Sequence, residues 1–143
     1  MESEAFKGFL EVFDFRSNHE ARAFMRRLYH RPPWYAPLVA AEVRGMFTRP
    51  AVRDVLAGAA AAHLFSPEQL RSLPMPIHLL WGKSDRLMPR QNFDYYRGSL
   101  PAHAVIEEPE NTGHCPHFDD PDAYADRIAS FARASSEAAE IAP

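Results

Sequence analysis

Hydrophobic positions recur at three- and four-residue intervals through the first half of the chain, then give way after Pro74 to short apolar runs. Ala5, Phe6, Phe9, Leu10 and Phe13 share one helical face, as do Ala21, Phe24, Met25, Leu28 and Tyr29. Ser17 and Glu20 stand at capping-box spacing ahead of the second group, so a helix is predicted to start there. Arg31-Pro32-Pro33-Trp34 breaks it, because proline cannot donate to a helical ladder and restrains the residue before it. Pro37 and Pro50 fall where first helical turns begin, ahead of LVAAEVRGMF and AVRDVLAGAAAAHLF. Ser66-Pro67-Glu68-Gln69 joins a cap, a proline at the first helical position and a Gln three residues after the cap. Residues 1–73 therefore read as short amphipathic helices separated by prolines, with no strand.

From residue 74 to 143 the pattern is that of an α/β unit. Ile77–Trp81 is a short apolar run ending at Gly82, as a buried parallel strand reads. A polar loop, Lys83–Met88, follows, and Pro89 opens a helix carrying Phe93, Tyr95 and Tyr96 that Gly98 and Pro101 should end. His103–Glu107 reads as a second strand and Glu108–Phe118 as the loop after it. Pro121 starts a last helix with Ala123, Tyr124, Ile128 and Phe131 on one face, and the tail from Ala134 to Pro143 is expected to fray. Two strands joined through a helix should be parallel, with a right-handed crossover. In such sheets the chemistry gathers in loops leaving the carboxyl ends of the strands.

Composition narrows the class. The 143 residues are 46% hydrophobic, enough for one globular domain, and the formal net charge of −3 leaves no footprint for nucleic acid. A single cysteine, Cys115, excludes an internal disulfide framework and a multi-cysteine zinc motif. No apolar run approaches the roughly 20 residues of a membrane span. The opening MESEAFKGFLEVFDF is acidic and lacks the basic start of a secretory signal, so a cytoplasmic location is expected.

The two loops carry the chemistry. Asp85 lies in the first and His114 in the second, and adjacent parallel strands would bring both to one edge of the sheet. A carboxylate beside an imidazole fixes its tautomer and stabilises its protonated form, as the acid of a triad does for a general base. Asp85 alone could equally cap the helix that begins near Pro89. His114, Cys115, His117, Asp119 and Asp120 include metal-binding residue types, but the cluster is compressed around Pro116, and no metal or cofactor is expected. Asp119-Asp120-Pro121 reads instead as the cap and first-turn proline of the last helix. Cys115 reads as an inert, packed thiol. His19, His30, His63, His78 and His103 are scattered and read as surface or packing residues.

WGKSDRLMP followed by NTGHCPHFDDP resembles the acid loop and histidine loop of the α/β-hydrolase superfamily. The segment FRSNHEARAFMRRLYHRPPW resembles the cap of bacterial ester- and lipid-cleaving members. The resemblance implies the C-terminal part of an α/β-hydrolase fold: a helical cap over 1–73, then two parallel strands and two helices over 74–143. It implies that Asp85 is the triad acid and His114 the general base. The family's Gly-x-Ser-x-Gly nucleophile elbow has no counterpart; Gly82-Lys83-Ser84-Asp85-Arg86 lacks the closing glycine and belongs to the acid loop. The implied whole enzyme is a serine hydrolase of carboxylic esters, with acylglycerol- or lysophospholipid-like substrates as the expected kind, and the chain alone is expected to be inactive. Phe24, Tyr29, Trp34, Tyr35, Met46 and Phe47 either line an acyl channel or pack the small helices. The expected partners are a small ester or lipid-like substrate, the missing N-terminal half, or a second copy. A non-catalytic interaction module built on the same fold is the alternative, and an upstream reading frame encoding the elbow would separate the two.

Overall fold

The computed structural model describes residues 11–58 and 64–141. Ala5, Phe6, Phe9, Leu10 and His63 lie outside the described residues. Among the described residues four helices come first: α1 (Asn18–Leu28), α2 (Ala36–Phe47), α3 (Pro50–Gly58) and α4 (Pro67–Arg71). Their starts obey the local signals. Ser17 Oγ accepts the Glu20 amide while Glu20 Oε2 accepts the Ser17 amide, closing a capping box, and Ser66 and Gln69 form a second one.

The α1–α2 pair is held by aromatic packing. Phe13, Phe15, Phe24 and Phe47 form a box whose ring centroids lie 4.7–5.7 Å apart. Stacked, tilted and edge contacts of this kind add to the area each ring removes from water. Ala21 and Ala40, both almost fully buried, let the two helices approach, and Leu87 from the downstream loop plugs the same cluster. That leucine couples the helical segment to the loop bearing Asp85.

The second half follows as β1 (His78–Leu80), α5 (Arg90–Ser99), β2 (Val105–Glu107), α6 (Pro116–Asp119) and α7 (Pro121–Ile141). β1 and β2 are parallel, with His78 opposite Val105, Leu79 opposite Ile106 and Leu80 opposite Glu107. Both are shorter than the sequence suggests. Pairing begins where the Val105 amide donates to Ile77 and fades after the Trp81 amide donates to Glu107, because Pro109 has no N–H to continue the ladder. Among the described residues β1 pairs only with β2, and its residues are half-buried rather than fully covered.

Three boundaries differ from the predicted ones. Helix α5 runs through Gly98, since the Leu100 amide still reaches Tyr96 O and Pro101 provides the stop. Helix α7 continues to Ile141 instead of fraying from Ala134, because Ala, Glu and Ser there carry little helical penalty. The short turn α6 interrupts the histidine loop, which reads from the sequence as irregular throughout.

Phe93 is the anchor of α5, with no exposed surface, and it packs on Trp81 with ring centroids 5.5 Å apart. Arg90 and Arg97 lie across its ring at 4.3 and 5.3 Å. Phe93→Ala should lower the unfolding free energy by about 3–5 kcal/mol, read as a fall in the urea midpoint at unchanged slope.

Candidate active site

The two loops leave the same end of the sheet and stay hydrogen-bonded beyond it. The Lys83 amide donates to Pro109 O at 3.2 Å and the Ser84 amide to Thr112 O at 2.9 Å. Gly82 is enclosed against Thr112 and Gly113, where only a glycine fits the approach. Asn111 turns the second loop with φ of 56°, a left-handed conformation that asparagine tolerates better than most residues. Ion pairs of Lys83 with Glu110 and of Arg90 with Glu108 brace the rim from outside. The Arg90 hydrogen bond holds the Glu108 carboxyl below its ordinary range.

This framework brings Asp85 and His114 together. His114 Nδ1 lies 2.9 Å from Asp85 Oδ2, and the Asp85 side chain is only 5% exposed against 33% for the imidazole. An ionised carboxylate only accepts, so Nδ1 carries the proton and Nε2 the lone pair. The other oxygen, Oδ1, accepts the amides of Leu87 and Met88 at 2.8 and 3.0 Å. Asp85 does not cap the helix that follows, whose N-cap is Pro89 with no side-chain cap bond; one oxygen holds the turn of its own loop and the other meets the imidazole. Three donors satisfy a carboxylate that would otherwise be costly to bury. Chemically, the arrangement offers an imidazole of fixed tautomer and orientation, able to take a proton at Nε2 and to be stabilised when charged.

The neighbouring residues sort differently from their sequence reading. Asp120 caps α7, its Oδ1 accepting the Ala123 amide at 2.9 Å, while Asp119 turns inward. Burial pushes the Cys115 thiol up, and the Asp119 and Asp85 carboxylates add to it, so the thiolate is disfavoured at neutral pH. No group of three or more His, Cys, Asp or Glu among the described residues is placed to hold a metal ion. His78 packs against Phe131, and His103 Nε2 lies 3.0 Å from Met75 O. His30 departs from the packing reading: its Nδ1 is 2.7 Å from Ser84 Oγ, beside the acid loop. Of the large apolar residues read as channel or packing, Phe24 and Tyr29 are buried and Phe47 is packed, whereas Trp34, Tyr35 and Met46 are exposed.

Ser84, Arg86 and Asp119 are the positions that sequence reasoning missed. Each reaches a residue at the end of α1 more than fifty positions away, Ser84 the His30 ring, Arg86 the Tyr29 carbonyl and Asp119 the His30 amide, and no spacing signals such contacts. Two open grooves lie near the loops, but Asp85 and His114 are in the wall of neither.

A family model described as the alpha/beta hydrolase family matches residues 3–127. The chain belongs to that family. No curated protein matches the sequence. Among solved structures the chain is similar to 2-hydroxy-6-oxo-6-phenylhexa-2,4-dienoate hydrolase (BphD) from Rhodococcus sp. strain RHA1, at 17% identity and a TM-score of 0.70. The likeness covers 87% of this chain and 47% of that one, so the chain spans about half the length of the hydrolase it matches. At that identity the match establishes the α/β-hydrolase fold, and the two strands with their helices form part of it. No helix among the described residues is long and apolar enough to cross a membrane.

Proposed function

We propose that this α/β-hydrolase chain supplies the acid–base half of a serine hydrolase acting on carboxylic esters, with Asp85 as the triad acid and His114 as the general base. The observation that carries the reading is the 2.9 Å contact between His114 Nδ1 and the buried carboxylate of Asp85. In the working enzyme His114 Nε2 takes the proton of an attacking serine and returns it to the leaving alcohol, and Asp85 holds the ring and stabilises its charged form. The serine and the oxyanion donors come from a polypeptide bearing the Gly-x-Ser-x-Gly elbow that this sequence lacks. The helices of residues 1–73 act as the lid. Their exposed Trp34, Tyr35, Leu38 and Met46 offer apolar surface for an acylglycerol- or lysophospholipid-like acyl chain.

The test is hydrolysis of p-nitrophenyl butyrate by the purified chain, alone and mixed with a polypeptide encoding the first half of the fold. The chain alone should be silent and the mixture active. Silence of a mixture shown to be folded and associated would favour the interaction module, for which the half-buried β1, paired only with β2 among the described residues, provides an edge.

A further inference from the structure

The three residues that leave α1, Leu28, Tyr29 and His30, are gripped from both loops at once. The Cys115 amide donates to Leu28 O at 3.0 Å. The Arg86 guanidinium donates to Tyr29 O at 3.1 Å and to His30 O at 2.7 Å. His30 Nδ1 meets Ser84 Oγ, and the His30 amide donates to Asp119 Oδ1 at 2.8 Å. Ser84 and Arg86 flank Asp85, and Gly113 and Cys115 flank His114. A helix terminus needs partners for its last carbonyls; here the partners are the immediate neighbours of the acid and the histidine.

Asp119 closes this arrangement. Its second oxygen, Oδ2, accepts the Gly113 amide at 2.7 Å, so one half-buried carboxylate bridges the residue just before His114 to the backbone of His30. Gly113 lies so close to that backbone that an added Cβ would stand 2.6–2.8 Å from atoms of Leu28, Tyr29 and His30. Hydrogen bonds to an ionised acceptor are about twice as strong as neutral ones, and here one holds Gly113 of the histidine loop while the other holds the His30 backbone.

We propose that Asp119 is a positioning residue: by clamping Gly113 to His30 it holds His114 Nδ1 on Asp85. This rests on the reading of Asp85 and His114 as the working pair, and deepens it by making the helical segment part of what aligns them. Asp119→Asn removes one of the two acceptors while nearly preserving shape, so the His114 loop gains freedom to swing.

The readout is the hydrogen-bonded imidazole Nδ1 proton of His114, observed in the full chain with ¹⁵N-labelled histidine and assigned by its loss in His114→Gln. Asp85→Asn should remove that proton signal. Asp119→Asn, folded by circular dichroism, should speed its exchange with water about tenfold or erase it, the scale of one lost charged hydrogen bond. A merely stabilising role would lower the urea midpoint and leave the signal as it is, and that result overturns the proposal. Should Asp119→Asn not fold, Arg86→Gln takes its place, releasing the same segment from the acid-loop side. Quickened exchange there supports the clamp, and unchanged exchange refutes it. If Asp85→Asn leaves the proton in place, the pair itself is misassigned and the positioning role falls with it.

Discussion

Asp85→Asn should lower the turnover of the complemented esterase by about four orders of magnitude, with KM little changed. The size follows from what the amide does to the imidazole. Oδ1 of residue 85 is committed to the Leu87 and Met88 amides, so the group facing His114 Nδ1 becomes an NH₂ donor. The ring then presents its lone pair at Nδ1 and its proton at Nε2, the reverse of what a general base needs. His114→Ala should be at least as damaging, and the double variant no worse than the poorer single one, because the two act as a unit. A loss of less than about tenfold in Asp85→Asn would mean that the acid is supplied from elsewhere.

The second large effect is on folding. Gly82→Ala would place a Cβ 2.1 Å from Gly113 O and 2.3 Å from Thr112 O, and Gly113→Ala would press on the backbone of Leu28–His30. No described glycine has a positive φ, so the difficulty is space and not dihedral strain. The obstructing atoms are backbone atoms that cannot rotate away. Each substitution should therefore cost about 3 kcal/mol, at the upper end of overpacking, and should break the Ser84–Thr112 hydrogen bond. Gly98→Ala is the contrast: nothing lies within 4 Å of its Cβ position, and in a helix the change should stabilise by about 0.5–1 kcal/mol. Urea midpoints of the three variants decide the matter, and a Gly82→Ala protein as stable as the parent would refute the close approach.

What could be read in advance was whatever depends on neighbours in the chain. Ser17 with Glu20, Ser66 with Gln69, and the first-turn prolines announce their helices because capping is settled within four residues. The meeting of Asp85 with His114 was legible because strand–loop–helix order places successive loops at one sheet edge, whatever the loops' detailed shape. The division of Asp85 between two tasks was not legible, since it depends on which oxygen faces which donor. Nor was the inward turn of Asp119. Two adjacent aspartates ahead of Pro121 look alike in a sequence, and only the four-residue turn α6 sends one to Ala123 and the other to Gly113. Helix α7 outran its expected end because composition that is merely small and polar is also good helix material.

The grip on Leu28–His30 also sets an order of events in time. Its side-chain-mediated bonds join residues 54 to 89 positions apart, whereas the capping boxes close over three. Contacts of long sequence separation require costly loop closure before they contribute anything. The helices should therefore assemble early on refolding, with the grip closing late, when Leu28–His30 have met the acid and histidine loops.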